Sequence, residues 1–257
     1  MSKTHIVIPD PHALPGKHNH RATWLICDVR PDVVINLGDT ADMESLSGYD
    51  RGKLGFHGRT YKKDIEAHND FQDRLWLQVK KQKRKLPTRY TLIGNHEQRI
   101  ERAVNANHEL QGTVSYDDLQ LDRYYNEVIH YQGGTPGVVE VDGIHYAHYF
   151  SSGVMGRAIG GEHPAYSLLT KKFVSCTQGH THTFDHCIRT TANGRKITGL
   201  VAGVFQDYIS EWAGEANKMW EPGVAIKRNV EDGRYDLQWI GIDALKKTYG
   251  HLTKGCK

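Results

Sequence analysis

The sequence predicts an α/β fold in which two mixed β-sheets pack face to face and helices flank them. Three observations carry this. In the first half, short apolar runs alternate with helical stretches in the order βαβαβ, which builds parallel sheet. From Gly137 onward the pattern changes to closely spaced strands with tight turns, which builds antiparallel sheet. The 257 residues contain no repeat, no low-complexity tract and no linker-like stretch, so one domain over 1–257 is expected.

Each element has its own reason. Residues 3–9 hold the run His-Ile-Val-Ile closed by Pro-Asp-Pro, a buried strand followed by a loop. A helix is expected over 20–29, ended by Arg30-Pro31, and a second buried strand over 32–37, terminated by Gly38-Asp39. Residues 42–60 are polar and Gly-rich and form a first insertion over the surface. The strongest helix covers 61–86: Ile65, His68, Phe71, Leu75, Trp76 and Val79 mark one face, and Pro87 stops it. A third strand over 88–93 closes at Gly94-Asn95, and 98–107 is helical. A second insertion spans about 107–135, with a small helix near 117–125. Residues 138–141 and 144–148 pair as a hairpin around Asp142-Gly143. A third, Gly-rich insertion spans 150–172, and strands follow at 173–178, 184–190, 196–201, 223–230 and 234–241.

Bulk properties narrow the chemistry. A formal net charge of +3 is weak evidence for an anionic partner. Sixteen histidines exceed what a core of this size wants and point to a metal site or to proton transfer. The cysteines, Cys27, Cys176, Cys187 and Cys256, include no CxxC pair, which argues against a finger-type zinc site and for a reducing compartment. Cys176 and Cys187 fall on strands that could be neighbours, which leaves a bridge between them open. The N-terminus runs straight into a strand with no charged-then-apolar leader, and no apolar run approaches a membrane span. A cytoplasmic protein without a membrane is expected, and the sequence carries no signal for an oligomeric state.

Five polar clusters stand where predicted strands end: Asp10-Pro-His12, Gly38-Asp39, Gly94-Asn-His-Glu97, His148 and Gly179-His-Thr-His182. They offer hard oxygen and imidazole donors and no sulfur, the inventory that two divalent cations sharing one carboxylate require. Residues i and i+2 of an extended segment point the same way, so Asp10 and His12 are expected to reach one cation. His180 and His182 repeat the spacing. His145 rivals His148; His148 is preferred because, like the other candidates, it ends its apolar run.

Asp-x-His, Gly-Asp, Gly-Asn-His-Glu, a lone His and Gly-His-x-His, in this order, resemble the calcineurin-like metallophosphoesterase superfamily. The resemblance implies a four-layer αββα sandwich with a dinuclear site at the strand ends. Carried over by position, one metal takes Asp10, His12, Asp39 and His182, and the other takes Asp39, Asn95, His148 and His180. His96 is then the acid that protonates the leaving oxygen. Asp42 matches the second Asp of Gly-Asp-x-x-Asp in the serine/threonine protein phosphatases of that superfamily, where it pairs with the catalytic histidine. Two divalent ions are implied, Mn2+ first, with Fe, Zn, Ni and Mg as alternatives. At roughly 3.5–4 Å apart they lower the pKa of a bridging water, and the resulting hydroxide attacks phosphorus in line with the leaving group.

The substrate class is less constrained. Protein phosphatases of the superfamily continue the motif with Arg-Gly, whereas this chain has Met43-Glu44. Arg99, Arg102 and Arg59 are candidate substitutes for that arginine, and Glu162 and His163 are candidates to line the cleft from the third insertion. A basic run at 80–85, with Lys62, Lys63 and Arg89, favours nucleic acid, and Tyr49, Tyr61, Tyr149, Phe150, Tyr208 and Trp212 are placed either to stack on a base or simply to pack. Gly-Asp-Thr-Ala-Asp-Met and Gly-Asn-His-Glu-x-Arg-Ile resemble small phosphoesterases encoded by bacteriophages. A phosphodiester, nucleotide or nucleic acid is therefore the expected substrate, with a phosphomonoesterase as the alternative. A binding protein that had lost catalysis would lack a ligand or the acid, and none is missing.

Overall fold

The computed structural model describes residues 2–15, 21–49, 52–82 and 84–252. Along the chain the elements are β1 (Lys3–Ile8), α1 (Ala22–Val29), β2 (Val33–Asn36), α2 (Tyr61–Lys81), β3 (Thr88–Leu92), α3 (Arg99–Ala106), α4 (Leu121–Tyr124), β4 (Glu127–Ile129), β5 (Val138–Val141) and β6 (Ile144–Ala147). They continue as β7 (Ser151–Ser152), β8 (Arg157–Ala158), α5 (Pro164–Lys172), β9 (Cys176–Gln178), β10 (Phe184–Thr190), β11 (Lys196–Ala202), β12 (Gly223–Glu231), β13 (Arg234–Gly241) and α6 (Ile242–Tyr249).

Two mixed sheets form. The first has the order β13-β12-β1-β2-β3-β4, the second β10-β11-β9-β6-β5, and β7 pairs with β8 as a small ribbon. In the first sheet β1 to β4 are parallel, and β12 runs antiparallel to β1. In the second, β9 is parallel to both β11 and β6.

Alternation along β1 and β2 explains the layering. Val7, Val33 and Ile35 pack with Ile144, Tyr146 and Leu200 of the second sheet. Ile6, Ile8 and Val34 turn the other way, onto Leu25 and Ile26 of α1 and Phe71, Leu75 and Trp76 of α2. Helix α5 covers the far side of the second sheet against β10 and β11. The four αββα layers implied by the resemblance are thus present. The Asp-Gly turn joining β5 to β6 is also as expected, with Asp142 at φ 54° and Gly143 at φ 81°.

Several expected boundaries move. Helix α2 starts at an N-cap, Thr60, whose side chain accepts from the Lys63 N–H, but it ends at Lys81 and not at 86. No apolar residue follows Val79 until Leu86, so nothing buried holds the intervening cationic stretch helical. The second expected insertion contains β4, three residues long, which extends the edge of the first sheet. The helix expected over 117–125 is two turns, Tyr116–Leu119 and α4, broken at Gln120, where φ is 50°. The third insertion ends at His163, because 164–172 form α5 with Pro164 in its first turn and Asp185 accepting from the Ala165 N–H. The strand expected from 173 begins at Cys176, since Phe173 caps α5 at φ 60°.

Cys176 and Cys187 both pair with Gly199 of β11, from opposite sides. Two strand spacings, about 9.5 Å, are beyond disulfide reach, and both thiols are free. His20 and Cys256 lie outside the described residues.

Candidate metal centre

The polar clusters sit just past the C-terminal ends of β1, β2, β3, β6 and β9. Parallel pairing places the ends of β1, β2 and β3 on one edge of the first sheet, and those of β6 and β9 on one edge of the second. Such edges are where open α/β sheets bind ligands.

Side chains from these ends meet. Ligating atoms of Asp10, His12 and His182 lie within 4.8 Å of one another, as do those of Asp39, His148 and His180. Asp10 Oδ2 is 3.3 Å from His182 Nε2, and Asp39 Oδ2 is 3.3 Å from His148 Nε2. Asn95 Oδ1 lies 2.9 Å from His148 Nε2 and 2.8 Å from His180 Nδ1, between the two imidazoles. Asp10, Asp39 and His148 are fully buried or nearly so. His145, the rival of His148, is half-buried and sits 4.0 Å from Glu140.

The local backbone differs from the extended geometry expected of Asp10 and His12. Asp10 (φ 39°), His12 (φ 43°), Asp39 (φ 48°), His180 (φ 67°) and His182 (φ 62°) are all left-handed. Each costs on the order of 1–3 kcal/mol in a non-glycine residue, and strain of this kind collects at functional sites. The side chains therefore converge through tight turns and not through the pleat of a strand. Neighbouring glycines make room: a Cβ on Gly179 would lie 2.1 Å from Asp10 Oδ1, and one on Gly94 would lie 2.1 Å from Asp39 Oδ1.

The donor set fits divalent cations. Asp10 Oδ1 is buried with no hydrogen-bond partner. The Nε2 atoms of His12 and His182 face each other at 3.0 Å, and Asn95 turns its oxygen to two ring nitrogens. Oxygen and imidazole donors without sulfur suit Mn, Fe, Ni, Zn or Mg.

Without cations, protons balance the buried carboxylates. Burial alone would lower the pKa of His12, but the hydrogen bond and charge of Asp42 hold it at about 9. Burial likewise opposes protonation of His148, and Asp39 raises its pKa to about 9. His180 falls to about 4, through burial and then the charge of His148, and His182 is also lowered, chiefly by burial. Asp39 and Asp42 would be pushed up by burial, but their histidine partners pull both well below the usual carboxylate range.

Behind the cluster, Asp42 Oδ1 accepts from His12 Nδ1 at 2.9 Å and lies 2.8 Å from His96 Nδ1. The His96 backbone N–H donates to Asp39 Oδ1 at 2.8 Å. Arg99 donates to the carbonyls of Asp42 (2.9 Å) and Met43 (3.2 Å) and lies 3.2 Å from His96 Nε2. A guanidinium only donates, so His96 Nε2 accepts and its proton rests on Nδ1, against Asp42.

Glu97 was read from the sequence only as part of its motif. Buried, it accepts from the backbone N–H groups of Asp39 (2.9 Å), Ala41 (2.8 Å) and Gly94 (2.9 Å), and so ties two ligand-bearing loops together. Sequence reasoning also missed Trp220, whose ring meets His182 edge-on at 4.3 Å.

A cavity of about 470 Å³ opens over the cluster, lined in part by Asp39, Asp42, Glu44, Tyr49, Arg99, His180, His182 and Trp212. Tyr208 donates to the His12 carbonyl at 2.7 Å, and Tyr149 packs on His180 at 4.7 Å. Other candidates lie elsewhere. Arg59 pairs with Glu44 at 3.6 Å and does not itself line the cavity. Glu162 and His163 are exposed at the start of α5 and do not line it. The described part of the basic run, with Arg89, stands at the C-terminal end of α2 beside the start of β3, the opposite end of the sheet from the cluster.

No family model and no curated protein matches this chain. A solved structure described as a conserved uncharacterized protein, a predicted phosphoesterase, from Streptococcus pneumoniae is 12% identical with a TM-score of 0.39, covering 95% of this chain and 91% of that one. A second solved structure is 10% identical with a TM-score of 0.42, covering 93% of this chain and 99% of that one. At that depth neither likeness bears weight on function.

Proposed function

We propose that this chain is a metal-dependent phosphoester hydrolase of the calcineurin-like kind, one domain over 1–257, acting on a phosphodiester. The observation that carries the reading is the position of Asp39, which falls within 4.8 Å of ligating atoms of His12 and His96 in one group and of His148 and His180 in another, so its carboxylate links His12 to the second pair of imidazoles. Asp10, His12, Asp39 and His182 would hold one divalent cation, and Asp39, Asn95, His148 and His180 the other, with Mn2+ the first choice. Bound there, the pair would supply Lewis acidity, activating water and neutralising charge on the phosphoryl oxygens.

The remaining chemistry falls to side chains. Water attacks phosphorus in line with the leaving oxygen, and His96 gives that oxygen its proton. Asp42 positions His96 from Nδ1. For that transfer Arg99 Nη2 turns away from Nε2, while its Nη1 stays on the Asp42 and Met43 carbonyls.

The cavity wall favours a diester. A phosphomonoester dianion wants a guanidinium aimed at it, but Arg99 is engaged with backbone carbonyls. Asp42 and Glu44 add carboxylates to the same wall, which also carries Lys53, so its cations do not outnumber its anions. A diester brings one charge fewer and extends to both sides of phosphorus.

Among the described residues no helix is long and apolar enough to cross a membrane. We place the enzyme in the cytoplasm, where the free thiols of Cys27, Cys176 and Cys187 stay reduced.

The test is hydrolysis of bis- and mono-p-nitrophenyl phosphate by metal-loaded and chelator-treated protein. The expected result is a preference for the diester that chelation abolishes and Mn2+ restores. Turnover indifferent to chelation, or none with any of the five metals, would contradict the reading.

A further inference from the structure

We propose that the site takes single-stranded nucleic acid, gripped by two aromatic walls and a cationic side cavity. The proposal rests on the hydrolase reading only for where the scissile phosphate lies.

The cavity over the cluster borders a second one of about 400 Å³, and the two share Tyr49 and Arg99. Both volumes are in the range that holds sizeable organic ligands. The second cavity runs along α3, where Arg99, Arg102, Ala103 and Ala106 fall on one face at helical spacing. Its charged lining is cationic only: Arg99 and Arg102, with no carboxylate. Arg102 donates to the Asn95 carbonyl at 2.8 Å, which anchors it where the cavities meet. Ala103 and Ala106 leave a low floor beneath Tyr49, on which a flat ring can lie.

The aromatic walls are exposed where burial is the rule. Tyr49 is 83% exposed and Trp212 is 65% exposed, and both line the cavity over the cluster. Trp212 rests on Trp220 with ring centres 5.6 Å apart, and Trp220 in turn meets His182. The platform therefore reaches from solvent to a proposed ligand.

Planar faces alternating with cations suit unpaired bases alternating with phosphates. A duplex hides its base faces. A phosphopeptide offers one dianion and no flat rings in register, so it leaves the second cationic position unused. We assign one base to Trp212 and the next to Tyr49 over Ala103 and Ala106, with the scissile phosphate between them over the cluster and the following phosphate at Arg102.

The experiment uses an eight-residue oligothymidylate, dT8, read in two ways: fluorescence anisotropy of labelled dT8, and kcat/KM for dT8 divided by kcat/KM for methyl p-nitrophenyl phosphate, which carries no base and no second phosphate. Trp212→Ala and Tyr49→Ala are each expected to weaken dT8 binding, and to lower the kcat/KM ratio, by about 5- to 150-fold. Trp212→Phe should restore most of the loss, which a merely structural tryptophan would not allow. Arg102→Gln should shallow the slope of log K against log salt by about 0.7, one phosphate contact on a single strand.

Wild-type protein that fails to bind dT8, ratios and affinities that stay level in the aromatic variants, or a phosphoserine peptide that binds more tightly than dT8 would each overturn the proposal. Tight dT8 binding that depends on Trp212 and Tyr49, without hydrolysis of either substrate, would uphold it and refute the hydrolase reading instead.

Discussion

Replacing Glu97 with Gln probes the tie that holds the metal-ligand loops. In the protein Oε2 accepts from Asp39 N and Gly94 N, and Oε1 from Ala41 N, all at 2.8–2.9 Å in a buried setting. A Gln can keep the two bonds of Oε2 but must turn its NH2 toward the Ala41 N–H. One buried donor is then unsatisfied, a cost of about 1–3 kcal/mol, and the two retained bonds lose their charge assistance, roughly 1 kcal/mol each. Against this, burial and then the Asp39 carboxylate raise the pKa of Glu97, so removing its charge gives part of the loss back. The net expectation is about 1–3 kcal/mol, which for a chain of this length lowers Tm by about 2–12 °C. Glu97→Ala strands all three donors and should cost more. Thermal unfolding at pH 7.5, with chelator present so that metal binding does not mask the effect, reads this directly. A Gln variant within about 1 °C of wild type would refute the idea that this carboxylate ties the loops together.

Other consequences concern the centre itself. Asp39→Asn should leave far-ultraviolet circular dichroism unchanged and reduce turnover of bis-p-nitrophenyl phosphate by at least about 100-fold, because a neutral amide cannot replace a carboxylate shared by two cations; activity within tenfold of wild type would contradict the assignment. His96→Ala should slow esters with poor alkoxide leaving groups by about 100-fold or more and nitrophenyl esters far less, since only the former need a proton; equal slowing across leaving groups would count against His96 as the acid. The pKa values of His12 and His148 are raised to about 9, above the ordinary 6.5, so both rings are protonated in the metal-free protein at neutral pH and must deprotonate to bind cations. Metal affinity should rise with pH toward about 9, and calorimetry in buffers of differing ionisation enthalpy should show release of about two protons at pH 7 and well under one at pH 10. Release that does not vary with pH would refute this charge balance.

Much of the centre was legible because its donors are chemically unusual and stand at strand ends that apolar runs announce. Val7 and Ile8, Val34 and Ile35, and Leu92 mark β1, β2 and β3, and the ligands follow within a few residues. The pairing of Asp42 with His96 was implied only by the resemblance, and the two side chains lie 2.8 Å apart. What was not legible depends on tertiary context. The left-handed backbone at Asp10 and His12 is imposed by turns that the whole cluster holds in place. Glu97 acts on Asp39 and Ala41, far away in sequence. Strand β4 is too short to show periodicity and exists because β3 offers it an edge. Helix α5 did carry a signal, Pro164 followed by Ala165, Leu168 and Leu169, which the Gly-rich lead-in obscured. The basic run was read as favouring nucleic acid, but its place at the far end of α2, away from the cluster, became evident only in the fold.

The most direct test of the account is anomalous diffraction from crystals soaked in Mn2+. Two peaks roughly 3.5–4 Å apart on either side of the Asp39 carboxylate, one against His12 and His182 and the other against His148 and His180, are expected. A single peak, or none within reach of Asp39, would contradict it.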